Sequence, residues 1–260
     1  MIDLNADLGE GFGRWSLTDD DALLDVITSA NIACGFHAGD PSTMRRVCEL
    51  AVERGVAIGA QVSYRDLAGF GRRAMDVPFE ELAAEVAYQI GALDIFARAA
   101  GGRVAYVKPH GALYNRCVAD AEQAAAVVEG VRLASAAGGA RSTGAAMLPI
   151  LGLPGSRLLE AALAAGHAAV TEAFADRAYT PHGTLVPRTE HGAVVHDPEL
   201  VVSRAVAMAT GEAVVSIEGG ALAISARSLC VHGDTPGAAA LAARVRAELA
   251  AAGVEIGPFA

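Results

Sequence analysis

The chain is built from short apolar runs that end in clusters of polar and charged residues, after which a new segment of helical apolar spacing begins. Cys34-Gly-Phe-His37-Ala-Gly-Asp40-Pro41 shows the pattern most fully, and Cys230-Val-His232-Gly-Asp234-Thr-Pro236 echoes it near the other end. In both, a histidine, a glycine and an aspartate close the run and a proline opens the next helix. This alternation constrains the fold strongly. Strands separated by crossover helices pair in parallel. In a barrel of such units the strand ends carry the chemistry and the helices close the wall.

The pattern predicts strands over 2–6, 29–34, 56–61, 104–108, 145–151 and 168–172, and a last one ending near Val231. Between them, Thr18 is placed to cap a helix with Asp19, Asp20 and Asp21 in its first turn, where the helix dipole favours them. Asp40 caps a second, with Pro41 at its first position, an apolar face of Met44, Val47, Cys48 and Ala51, and Gly55 at its end. Pro78 opens a long helix with Leu82, Val86, Ile90 and Leu93 on one stripe. Further helices are predicted over 121–136, 155–165 and 198–210, and a final one carries Leu241, Val245 and Leu249. Residues 173–197 read as irregular, and 213–226 as two β-like runs split by Gly219-Gly220, a hairpin. No linker divides residues 1–260. About seven units in one domain favour an irregular (β/α) barrel over an open doubly wound sheet.

Composition excludes several classes. The net charge is −10 with scattered lysine and arginine, against the basic stripe a nucleic-acid binder needs. No apolar stretch is long enough to span a bilayer, and the N-terminus lacks the basic region and apolar core of a signal peptide. Cys34, Cys48, Cys117 and Cys230 show no metal-ribbon spacing, which points to reducing cytoplasm.

The predicted strand ends gather the candidate site: Asn5, Asp7 and Glu10; Asn31, Cys34, His37 and Asp40; Gln61; Lys108 and His110, followed by Tyr114 and Asn115; Glu172, Asp176 and Arg177; His232 and Asp234. Charged groups closing apolar strands are costly unless they face a polar cavity. Taken singly, each has a plainer reading. Asp40 and Asp234 suit helix caps, His37 and His232 could be buried hydrogen-bonding histidines, and Lys108 could be solvated. Asp7 interrupts an apolar beginning, and Lys108-Pro-His110 joins two donors, so both read as functional. Cys34 reads as a small buried thiol rather than a nucleophile, and Cys48 as core. His167 lies at a strand's beginning, the wrong end for chemistry; His182, His191 and His196 lie in irregular chain and carry no assignment. Gly9-Glu-Gly-Phe-Gly13 has the wrong spacing for a dinucleotide fingerprint, and no P-loop motif is present. Gly69-Phe-Gly71-Arg72-Arg73 offers backbone donors beside two guanidinium groups, an anion site or a surface turn.

Asn5-x-Asp7-Leu-Gly-Glu10, Cys34-Gly-Phe-His37-Ala-Gly-Asp40-Pro41, Gly69-Phe-Gly71-Arg72, Lys108-Pro-His110-Gly-Ala-Leu-Tyr114-Asn115, Glu172-Ala-Phe-Ala-Asp176-Arg177-x-Tyr179 and Val231-His232-Gly-Asp234 together resemble the LamB/YcsF family, in order, from residue 1 to about 250. The resemblance implies a β/α barrel related to the glycoside hydrolase and polysaccharide deacetylase barrels. It also implies the role of the A component of ATP-hydrolysing 5-oxoprolinase, which with subunits B and C opens 5-oxo-L-proline to L-glutamate. ATP is then a co-substrate, with magnesium at a partner subunit; no tightly bound cofactor is expected, and a homo-oligomer is compatible. Where many members carry Gly-Ala-His-Pro, this chain has Gly59-Ala60-Gln61-Val62. Glutamine is a poorer metal ligand than histidine, which weighs against a deacetylase-like metal site there.

A lactam carbonyl is a weak electrophile, and phosphorylating its oxygen would make that oxygen a leaving group. Asp7, Glu10 or His37 could activate water, and Lys108, His110 or His232 could stabilise the developing charge, with Asp234 beside His232. Arg72 or Arg177 could grip the substrate carboxylate. Asn5, Asn31, Tyr114, Asn115, Glu172 and Asp176 are expected to contact substrate. Asp7 and His37 are the only metal-ligand candidates. Lys108→Met is expected to abolish turnover and spare the fold. Two other functions stay open, a substrate-presenting subunit without chemistry and a metal-dependent deacetylase-like hydrolase.

Overall fold

A computed structural model describes residues 1–137, 147–231 and 237–260, so His232 and Asp234 lie outside the described residues. In chain order the elements are β1 (Asp3–Leu8), α1 (Asp20–Leu24), β2 (Ser29–Ala33), α2 (Pro41–Glu53), β3 (Ala57–Val62), α3 (Phe79–Ala99), β4 (Val104–Pro109), α4 (Gly111–Arg116) and α5 (Ala121–Ala137). There follow β5 (Ile150–Gly152), α6 (Arg157–Ala164), β6 (Ala169–Phe174), α7 (Pro198–Thr210), β7 (Val214–Val215), β8 (Ala221–Leu222), β9 (Ser228–Val231) and α8 (Ala238–Ala251). Strands β1 to β6 and β9 form a closed seven-stranded barrel in which every pairing is parallel and β9 returns to β1. Strands β7 and β8 pair antiparallel as the predicted hairpin.

Strand β1 shows how the barrel divides its residues. Side chains alternate across a strand. Leu4, Ala6 and Leu8 join the main apolar cluster with Val47 and Leu23 of the surrounding helices. Asp3, Asn5 and Asp7 make their hydrogen bonds to residues of other strands. Within the barrel, Asp3 accepts from the Thr28 and Ser29 hydroxyls at 2.6 Å each, and from Ser228. Ser228 in turn accepts from Asn5 Nδ2 at 2.6 Å. These buried groups satisfy one another by hydrogen bonds, as their burial requires, beside a separate apolar cluster of Tyr106, Leu151 and Val170.

Several boundaries differ from expectation for identifiable reasons. Strands β1, β3 and β6 run one or two residues further than predicted, through Leu8, Val62 and Phe174. Polar residues that looked like strand ends are inward-facing strand members. Strand β5 is only Ile150–Gly152, and the start of its predicted range lies outside the described residues. Asp19, not Thr18, caps α1, because the Thr18 hydroxyl donates to the buried Asp20 carboxylate at 2.6 Å. Helix α4 was missed: six residues are too few for a period. Asp40 caps α2 as expected, accepting from the Ser42 and Thr43 amides. No helix of the described residues is long and apolar enough to cross a membrane.

Gly59 pairs with Tyr106 across β3 and β4. A Cβ at Gly59 would lie 2.2 Å from Tyr106 Cζ. That ring is fully buried and its hydroxyl donates to Asn31 Oδ1 at 2.6 Å. Gly59→Ala is therefore expected to cost about 1–3 kcal/mol of stability by overpacking. Urea denaturation checks it, and an unchanged midpoint would mean that the ring yields freely.

His167 is buried just before β6, with Nδ1 2.9 Å from the Leu148 carbonyl. Burial lowers its pKa, against the opposing pull of that carbonyl. As pH falls through the unfolded value near ~6.5, the unfolded chain gains a proton that the folded chain resists, so stability drops. His167→Gln should flatten the stability profile below about pH 6.5, with a limit of about 1.4 kcal/mol per pH unit for one proton. A profile parallel to the wild type would refute this.

Candidate active site

The centre of the barrel mouth is the Lys108 ammonium, 3% exposed at the end of β4. Its Nζ lies 2.7 Å from Glu172 Oε1 and 3.3 Å from each of Asp7 Oδ1, Asn5 Oδ1 and Cys230 Sγ. Asn31 Nδ2 ties Asn5 Oδ1 and Asp7 Oδ1 together at 2.7 and 2.8 Å. Burial pulls the lysine pKa down, but the Asp7 and Glu172 carboxylates overcome this and hold it well above its ordinary value. Lys108 is thus a fixed cation.

Beside it stands a wall of imidazoles. His37 and His110 stack with ring centroids 4.1 Å apart, and the Nε2 of each lies 3.8 Å from Glu10 Oε1. That spacing is electrostatic contact rather than hydrogen bonding. Gln61 Nε2 donates to the same Glu10 oxygen at 3.1 Å. Burial raises the Glu10 pKa, against the pull of His37. Burial, with His37 adjacent, holds His110 well below its ordinary value. Glu10, His37 and His110 form a buried group that could hold a metal ion.

The Gly69–Arg73 turn presses on this wall. Phe70 sits edge-on to both imidazoles at 5.6 and 5.3 Å, in a left-handed conformation with φ 55° that costs a non-glycine residue energy. Gly71 has φ 66°, and a Cβ there would approach His37 Cβ to 2.9 Å and Ser63 Oγ to 2.4 Å, so only glycine fits. Of the two arginines, Arg73 pairs with Asp66, while Arg72 reaches over the Phe70 ring at 4.9 Å and lines the cavity.

The cavity above the floor holds about 400 Å³ and is lined by Asp7, Glu10, Lys108, His110, Tyr114 and Asn115 among others. Arg72, Arg177 and Arg188 bring cationic groups to its wall. Arg177 is buried, which draws its pKa down to about 10, and it donates to the Ala193 and Val186 carbonyls at 3.1 and 2.6 Å. It anchors the irregular loop as well as facing the cavity. Arg204 of α7 fixes the same segment through the Ala175 and Arg177 carbonyls.

Among the described residues, several of the expected site residues do not line this space. Asn5, Asn31 and Glu172 lie beneath it and position Lys108 and Asp7; His37 backs His110; Asp176 is half-buried outside it. Cys34 is a buried thiol that donates to the Ile32 carbonyl at 3.2 Å, and burial raises its pKa. Sequence reasoning missed Tyr106, Ser228 and Arg188. Tyr106 was findable, since it lies two residues before Lys108 on one strand face; Arg188 sits in irregular chain with no such signal.

Residues 2–260 match the LamB/YcsF family. The chain belongs to that family. It is 72% identical over 260 residues to the 5-oxoprolinase A component of Streptomyces coelicolor, covering all of both chains. It is 57% identical over 258 residues to the protein of that name from Mycobacterium avium, covering 99% of this chain and 98% of that one. Among solved structures, the lactam utilization protein of Thermus thermophilus matches with a TM-score of 0.89 and 42% identity over 99% of each chain.

In this LamB/YcsF barrel the burial of Lys108 between Asp7 and Glu172 predicts a stability cost for Lys108→Met beyond any loss of turnover. The substitution leaves the Asp7 and Glu172 carboxylates facing each other without a cation. Removing one partner of a buried ion pair costs about 3–5 kcal/mol. Chemical denaturation should show a loss of that size for Lys108→Met and partial recovery in Lys108→Met/Glu172→Gln. Equal stability of the two variants would contradict the ion-pair account.

Proposed function

We propose that this chain is the A component of a 5-oxoprolinase, and that its barrel mouth is where 5-oxo-L-proline is opened to L-glutamate. The single observation that carries the reading is the 72% identity, end to end, to the Streptomyces coelicolor protein named as that component. The site is chemically suited to the task. Opening the lactam breaks its carbonyl carbon–nitrogen bond, adds water's hydroxyl to the carbonyl carbon and delivers water's other proton to the ring nitrogen. Lys108 offers a fixed positive charge to the oxygen on which negative charge grows. Asp7, which also faces the cavity, is the candidate base for the water. Arg72 and Arg188 suit the substrate carboxylate, and they offset locally the repulsion expected from a net charge of −10.

The reaction in this proposal is coupled to ATP hydrolysis and requires subunits B and C. ATP is the co-substrate in this reading, with its magnesium at a partner subunit. The four cysteines are all buried and unpaired, as suits reducing cytoplasm.

Reconstitution tests the assignment. The purified chain alone should release little glutamate from 5-oxoproline and ATP, and addition of the two partner subunits should restore turnover. Full activity without partners would remove the multi-subunit part. In the complex, Asp7→Asn should lower kcat by about 10²–10⁴-fold, the usual worth of a general base. If kcat stays near wild type and only KM moves, the chain presents substrate and does no chemistry.

A further inference from the structure

We propose that Glu10, His37 and His110 bind one divalent transition-metal ion, of the kind that Zn²⁺ represents, at the side of the cavity. The proposal rests on geometry and on unsatisfied groups, and stands whether or not the 5-oxoprolinase reading does. Ligand atoms of the three side chains all lie within 4.8 Å of one another. Each imidazole Nε2 is 3.8 Å from Glu10 Oε1, too far for a hydrogen bond. Metal bonds of about 2.0–2.2 Å set neighbouring ligands roughly 3–3.5 Å apart, so each imidazole is within a few tenths of an ångström of that spacing from Glu10 Oε1, while the group as a whole, with its ligand atoms within 4.8 Å of one another, would draw together further around an ion.

His37 supplies the second, independent observation. Its side chain is 0% exposed, yet neither ring nitrogen has a hydrogen-bond partner. Burying an imidazole without partners is costly, and an ion bound at one ring nitrogen would repay part of that cost. The carboxylate is also prepared, because Gln61 Nε2 donates to the same Glu10 oxygen that faces both histidines. Ligating carboxylates are oriented by such outer hydrogen bonds. Gln61 is thus a positioning residue for the ligand set. Asp7, expected as a ligand, is instead tied to Asn31 and Lys108.

The donor set selects the ion class. Two imidazole nitrogens and one carboxylate oxygen suit zinc and its first-row neighbours, whereas magnesium and calcium prefer all-oxygen shells. Glu10 and His110 line the cavity, so a three-ligand ion would keep a position open to a ligand entering the mouth.

The test needs no turnover. The full chain is stripped with chelator, dialysed, and titrated with ZnCl₂ by calorimetry, and the bound metal is counted by elemental analysis. Co²⁺ substitution gives a visible spectrum as a second readout. Wild type should bind one saturable equivalent. His37→Gln and Glu10→Gln should lose it while keeping the circular dichroism of the folded chain. Gln61→Ala should keep the equivalent with affinity weakened about 10–100-fold, as expected for an outer-shell partner. The exposed-histidine variant His182→Ala/His191→Ala should bind like wild type. Absence of saturable binding, an equivalent retained in folded His37→Gln, unchanged affinity in Gln61→Ala, or loss in the exposed-histidine variant would each overturn the site.

Discussion

The buried Lys108 ammonium is the interaction on which the mouth of this barrel depends. A charge removed from water must be met by opposite charge and hydrogen bonds, or the chain does not keep it there. Here Glu172 from β6, Asp7 and Asn5 from β1, and through them Asn31 from β2, converge on one nitrogen. The contacts fix the relative positions of strands that are not neighbours in the barrel, since β4 meets β1 and β6 only across its interior. The same contacts hold a cation and the Asp7 carboxylate rigidly at the cavity floor. Preorganised charge of this kind is what acyl chemistry requires, because dipoles already in place need no reorganisation as the reaction proceeds.

A second layer is steric. The stacked histidines and Glu10 occupy one wall because the Gly69–Arg73 turn lies directly against them. Gly71 leaves no room for a side chain, and Phe70 accepts an unfavourable backbone conformation to cover both rings. Strain held at such a place is repaid by the surrounding packing. Arg72, the next residue, is thereby carried over the cavity and adds positive charge in a molecule whose overall field is negative.

Much of this was legible in the sequence. Parallel pairing follows from apolar runs alternating with helical periods, because a parallel connection needs a crossover. The strand-end clusters declared the mouth, since charged side chains closing buried strands need a polar cavity. The Asp40 cap and the Met44, Val47, Cys48 and Ala51 face could be read directly, because both are local, i to i+3 and i to i+4 relations.

What the sequence by itself determined was which residues would meet at one end of the barrel. Only the tertiary structure decided their roles. Glu172, Asn5 and Asn31 share their strand-end position with Asp7 and Lys108, yet they lie beneath the floor as supports while the other two face the cavity. Strand stagger and inward depth separate the two sets, and neither quantity is encoded in local spacing. Glu10 and His110 likewise come together across 100 residues of chain, with His37 between them in sequence and beside them in space. Curvature of the barrel makes that meeting, because the ends of β1, β2 and β4 converge across its interior although β1 and β4 are not neighbours in the ring.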